Sequence, residues 1–199
     1  MLGKNLRKLP KIELHLHLDC CLSFDVVKKI NPKIDIEAYN KKFKAPSTCS
    51  SVKEYIKCAE YAVDLMQDKK SISLIVEDLF DQLKAENIIY VEIRFAPLLH
   101  CRGELSSKEV VQIVDDICKK CSKKYGIHYA LILCTLRHFS KNQSMETVHL
   151  VEEFKNSGVF ALDIAADEAG FSLDNHFGCL LYTSPSPRDS RRSRMPSSA

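Results

Sequence analysis

The 199-residue sequence is short of several things, and each shortage excludes a class. Glycine and proline are scarce, at 6 and 7 residues, which excludes a collagen-like or Pro/Gly-rich disordered chain. No apolar run approaches the roughly 20 residues that a transmembrane helix needs. The first ten residues carry Lys4, Arg7 and Lys8 but no apolar h-region follows, so no signal peptide is read. One-sided charge is missing from the body of the chain. The last 18 residues hold four arginines and one aspartate, a surplus that accounts for the whole net charge of +3. The other 181 residues hold 25 basic and 25 acidic side chains. Such a body calls for neither nucleic acid nor a membrane as partner. Length is also short: a common α/β barrel takes roughly 250 residues.

Hydrophobic residues at 45% and charged residues at 28% suit a globular domain. The nine cysteines do not read as a disulfide scaffold. Cys58, Cys118 and Cys134 sit inside apolar-periodic segments, where cysteine packs as a small hydrophobe. A reduced, cytoplasmic chain is therefore expected.

Residues 12–19 alternate. Leu14, Leu16 and Leu18 face one way, and His15, His17 and Asp19 face the other. Period 2 predicts a strand, its leucine face packed under helices. Helical spacing follows over 51–66 and 72–87, a strand over 88–95, a helix over 107–124 after a serine cap, a strand over 129–136, a helix over 144–156 and a strand over 159–165. Strands that alternate with helices predict a parallel sheet. Residues 177–199 break the rhythm. Their end is rich in Ser, Pro and Arg and predicts a disordered tail foreign to the domain. The domains read as 1–176 and 177–199.

Two histidines at i and i+2 on one strand face can share a metal ion. They also fit a solvated face or a satisfied polar network. Asp19 on the same face suits a hydrogen-bond acceptor for a ligand. Glu92 and Arg94 alternate onto one face of their strand, with Arg137 past the next. They read as a charge network at the sheet's mouth, either structural or supporting a site, with Asp163 as a candidate partner. Asp167 and Glu168 either orient the loop that carries Ala166 or are solvated. His100, His128, His138, His149 and His176 show no metal-like spacing. Cys118-x-x-Cys121 resembles half a zinc site but lies in a helical stretch with no matching H-x-E, so it does not read as a metal site.

The block Pro10-Lys-Ile-Glu-Leu-His-Leu-His-Leu-Asp19 resembles the first strand of adenosine deaminases, in the metal-dependent amidohydrolase superfamily. Three later blocks resemble the family's second, third and fourth strands in order: YVEIRFAP from Tyr90, LCTLRH from Leu133 and ALDIAADEAG from Ala161. The resemblance covers about residues 8–176. It implies a (β/α)8 TIM barrel holding one zinc ion, with a water attacking C6 of adenosine to give inosine and ammonia. It implies His15 and His17 as metal ligands and Asp19 on the ribose of a purine nucleoside. Ala166 stands where a glycine is usual, with its N–H toward the purine. Alanine tolerates positive φ poorly there. Cys20-Cys21 replaces a Gly-Ser pair.

The family's remaining ligands and its catalytic acid/base groups lie in later blocks, one of them H-A-G-E-like. Residues 177–199 contain no His and no Glu, and Asp189 alone among aspartates. The expectation is an incomplete barrel of about the first four β/α units, with no catalytic residue of its own. Such a chain is expected to be a truncated, inactive and unstable fragment of a deaminase. Two alternatives stand: another H-x-H metal hydrolase, or a non-catalytic isoform acting by binding. Oligomeric state is not legible.

Overall fold

A computed structural model describes residues 8–49 and 52–183. Four strands form one parallel sheet in the order β1-β2-β3-β4. They are β1 (Lys11–His17), β2 (Ile88–Phe95), β3 (His128–Leu136) and β4 (Val159–Ala165). Spatial order follows chain order, and helices link successive strands. That is the winding of one arc of an α/β barrel.

Between β1 and β2 lie four helices: α1 (Phe24–Ile30), α2 (Ile36–Phe43), α3 (Val52–Leu65) and α4 (Lys69–Ala85). The sequence reading anticipates α3 and α4 and misses α1 and α2. Helix α5 (Ser107–Tyr125) joins β2 to β3, and α6 (Lys141–Glu153) joins β3 to β4. Local chemistry fixes the helix starts. Ser106 and Glu109 make a capping box at α5, as Ser140 and Gln143 do at α6. The second box starts α6 three residues before the apolar periodicity indicates. Asp68 caps α4 by accepting from the Ser71 N–H. Gly126, at φ +68°, ends α5 in the left-handed conformation that glycine adopts cheaply.

The core lies between the sheet and helices α4 and α5. Ile72, Ile75, Val76 and Phe80 of α4 and Val110, Val111 and Val114 of α5 meet Val91, Ile93, Leu131 and Leu133 of the middle strands. Each such large side chain contributes about 1.5–3 kcal/mol on burial. The outer strands differ. Ile12 is 59% exposed, Leu14 51% and Phe160 79%. The leucine face of β1 is thus packed only at its end. Leu16 meets the core and Leu18 is fully buried, but Leu14 is not covered. The register of β1 on β2 slips between Glu13 and Leu16, and β1 pairs on one side alone among the described residues.

The tail boundary also shifts. Phe177–Thr183 form a helix, α7, where the composition predicts disorder from 177 onward. Cys179 is fully buried and α7 packs on α6, which gives the segment a reason to be ordered. Residues 184–199 of the expected tail lie outside the described residues. None of the nine cysteines forms a disulfide. No helix among the described residues is long and apolar enough to cross a membrane.

Candidate metal centre

The C-terminal ends of the four strands converge on one mouth, where α/β barrels keep their chemistry. His15 and His17 project from β1 into it. Their Nε2 atoms lie 3.3 Å apart. Two nitrogens bound tetrahedrally at 2.0–2.1 Å would sit about 3.3–3.4 Å apart, so this donor pair fits one shared zinc ion. Burial, the Arg94 guanidinium and His15 together pull His17 down to about 4, which keeps it neutral and able to donate its lone pair. Among the described residues no cluster of three or more His, Cys, Asp and Glu side chains forms a metal site. The pair fits zinc, and the set stops at two.

Asp19 sits one short turn beyond β1, in a 3-10 helix (Leu18–Cys20) that ends the strand two residues before the alternation does. Its Oδ1 lies 4.0 Å from Nδ1 of His17, on the side away from His15. That separation is too long for a hydrogen bond. Burial raises the Asp19 carboxyl to about 6.

Arg94 is the cation of the site and is 7% exposed. Its Nη1 lies 2.7 Å from the ring nitrogens of His15, and its Nη2 pairs with Asp163. One side chain from β2 thereby ties β1 to β4. The expected grouping of Glu92 with Arg94 does not form: Glu92 accepts instead from the Tyr90 hydroxyl at 3.0 Å. Asp163, named only as a candidate partner, takes that place. Arg137 serves the other half of the network. It pairs with Glu168 at 3.1 Å and donates to the Phe171 carbonyl, holding the loop after β4.

Ala166 begins that loop at φ +86°, an L-residue in glycine's conformation. It lines a cavity of about 750 Å³ together with His15, His17, Asp19, Leu136 and Ala165. Helix α3 supplies the opposite wall through Ile56, Ala59, Glu60 and Val63. This volume suits a small organic ligand. All four residues assigned to the site from sequence, His15, His17, Asp19 and Ala166, therefore line one cavity. His138, which shows no metal-like spacing in the sequence, lines it too. Its signal is position, two residues past the end of β3. His176 does not join the site. It is fully buried, its Nε2–H donates to the Arg137 carbonyl, and its Nδ1 accepts from Ser144.

The family model for adenosine deaminase matches residues 10–180. The chain belongs to the adenosine deaminase family. The adenosine deaminase of Clostridium acetobutylicum is 35% identical over 175 residues, which is 84% of this chain and 52% of that protein. The chain thus spans about half the length of the relatives it matches. Among solved structures, Arabidopsis ADAL complexed with IMP superposes with TM-score 0.77 at 21% identity, over 94% of this chain and 57% of that one. An amidohydrolase from Burkholderia ambifaria with bound Zn gives 0.73 at 16% identity, over 94% of this chain and 50% of its own. These likenesses establish the fold, a partial α/β barrel.

Proposed function

We propose that the whole protein is a zinc-dependent adenosine deaminase that hydrolyses adenosine to inosine and ammonia in purine salvage. The observation that carries this reading is the His15–His17 pair, with Nε2 atoms 3.3 Å apart on the wall of a nucleoside-sized cavity. Zinc held there would supply the positive charge that makes a water nucleophilic near neutral pH. In this reading His15 and His17 hold the ion. Asp19 faces the cavity, where its carboxylate accepts a hydrogen bond from a ribose hydroxyl. The backbone N–H of Ala166 donates to a purine ring nitrogen. Carboxylate rather than cation at Asp19 favours a nucleoside over a phosphorylated ligand.

A catalytic zinc takes three protein ligands and needs a general acid/base beside it. The two imidazoles fall short of that, so the 199-residue chain by itself does not turn over. The Ser/Pro/Arg-rich composition of 184–199 supports placing that segment outside the barrel unit. Cys118, Cys121 and Cys134 are buried, where cysteine packs as a small hydrophobe, and this placement supports a reducing, cytoplasmic setting.

The test is hydrolysis by the full-length protein of adenosine and adenine, which release ammonia, and of N6-methyl-AMP, which releases methylamine, each followed by the purine absorbance change. Adenosine should give the highest kcat/KM, and His15→Ala should abolish turnover. Preference for either other substrate by tenfold or more would overturn the assignment.

A further inference from the structure

The cavity that His15 and His17 line is unevenly charged. Among the described residues three carboxylates line it, Asp19, Glu60 and Asp64, against one guanidinium, Arg102. That guanidinium is engaged. Arg102 pairs with Asp64, tying the loop after β2 to α3, and its backbone N–H donates to Gln67 Oε1 at 2.9 Å. Arg94, which touches His15 from β2, is paired with Asp163. Phosphate recognition rests on free Arg or Lys donors, and both of these cations are already held by carboxylates.

Glu60 stands apart from that pairing. It lies on the cavity face of α3, and among the described residues it has no hydrogen-bond or ion-pair partner. Its neighbours on that face, Ile56, Ala59 and Val63, are apolar. A carboxylate beside a low-dielectric wall sends its field into the cavity with little to cancel it. Asp19 fixes which end of a ligand feels that field. Asp19 and Ala59 also line a second, smaller cavity together, so the Asp19 end of the site abuts this turn of α3. Ala166 belongs to the loop after β4, at the other side of the sheet. A ligand with its sugar at Asp19 and its base at Ala166 therefore turns its sugar, and whatever the sugar carries, toward Glu60.

We propose that Glu60 is a specificity-determining residue: its unpaired carboxylate repels a 5′-phosphate, so the cavity takes neutral nucleosides and turns nucleotides away. This rests on the reading of the cavity as a purine nucleoside site with its sugar at Asp19. The repulsion acts partly through water, so it is moderate in size and screened by salt.

The experiment uses the full-length protein and follows deamination of adenosine and AMP by purine absorbance. The readout is the ratio of kcat/KM for AMP to that for adenosine, in which a general loss of activity cancels. Glu60→Gln keeps the shape and should raise the ratio about fivefold, and the charge reversal Glu60→Lys about twenty-fivefold, the scale of like charges a few ångströms apart in water. Salt gives a second reading that needs no variant. The screening length falls from about 30 Å at 0.01 M salt to about 3 Å at 1 M. The parent's ratio should rise across that range, and the Glu60→Gln ratio should rise less. Where turnover is too slow to measure, the same ratio is taken from the dissociation constants of AMP and adenosine. An unchanged ratio in both variants overturns the proposal, and so does a parent ratio that is flat in salt. The two layers fail separately. A full-length parent with no adenosine turnover removes the nucleoside reading and the role of Glu60 with it. Adenosine turnover with an unmoved ratio leaves the nucleoside reading standing and removes the role of Glu60 alone.

Discussion

The middle strands and the outer strands of this sheet do different work. In β2 and β3, Val91, Ile93, Leu131 and Leu133 are fully buried under α4 and α5, and the ladder runs in unbroken register from Tyr90 to Phe95. In β1 and β4 the ladders slip and the apolar residues Ile12, Leu14 and Phe160 are largely exposed. Yet the outer strands carry His15, His17, Asp163 and the loop of Ala166. Stability is concentrated in the centre and chemistry at the edges. Arg94, on a middle strand, connects the two by reaching both edges.

The sharpest way to break this contrast is to truncate one leucine in each place. Leu131→Ala should cost about 3 kcal/mol, since it empties a fully buried site. Leu14→Ala should change stability by less than ~0.5 kcal/mol. Urea denaturation of both variants checks the pair, and equal losses would contradict the division.

His100 tests the central region by pH. It is fully buried beside Phe95, donates through Nδ1–H to the Met66 carbonyl, and has a bare Nε2. Burial chiefly, with Arg102 adding to it, lowers its pKa to about 4. The unfolded chain binds this proton below about 6.5 while the folded chain does not until about 4. Stability is therefore full above 6.5 and falls as pH drops through that window, by about 2 kcal/mol at pH 5. His100→Asn retains a donor for Met66 and should flatten this part of the pH dependence of Tm. An unchanged slope would contradict the assignment.

Gly158 marks where the centre meets the edge. Its N–H donates to Asp115, which also accepts from the Tyr129 hydroxyl. An added Cβ would lie 2.3 Å from that Asp115 oxygen and 2.5 Å from the Tyr129 ring. Gly158→Ala should cost about 2 kcal/mol by thermal melting. The smallest effect is a gain at the edge. Ala166→Gly relieves the positive φ and should stabilise by about 1 kcal/mol, or at least not destabilise. A clear loss would mean that the Ala166 methyl is packed rather than strained.

How much the sequence revealed follows the same division. Both ends of β2 and β4 are legible to the residue, because turn and proline signals bracket apolar runs. The H-x-H face and Asp19 are legible because period 2 sorts one strand's side chains by itself. The Arg94–Asp163 pair is only half legible. Alternation puts Arg94 on a face but cannot say which neighbouring strand supplies its partner, and Glu92 lay nearer in sequence. Helices α1 and α2 escaped notice because they are 7 and 8 residues long, too short for periodicity. Their caps, Ser23 and Asp35, were the only local signals. His138 reads as bland because a single histidine after a strand has no pattern until the strand ends are brought together.

The most direct test of the account is Zn2+ binding by the 199-residue chain, measured calorimetrically for the parent and for His15→Ala, His17→Ala and His138→Ala. The account predicts one ion bound by the parent, binding lost in each of the first two variants, and binding retained in the third. Binding that persists in a His15→Ala/His17→Ala double variant would contradict it.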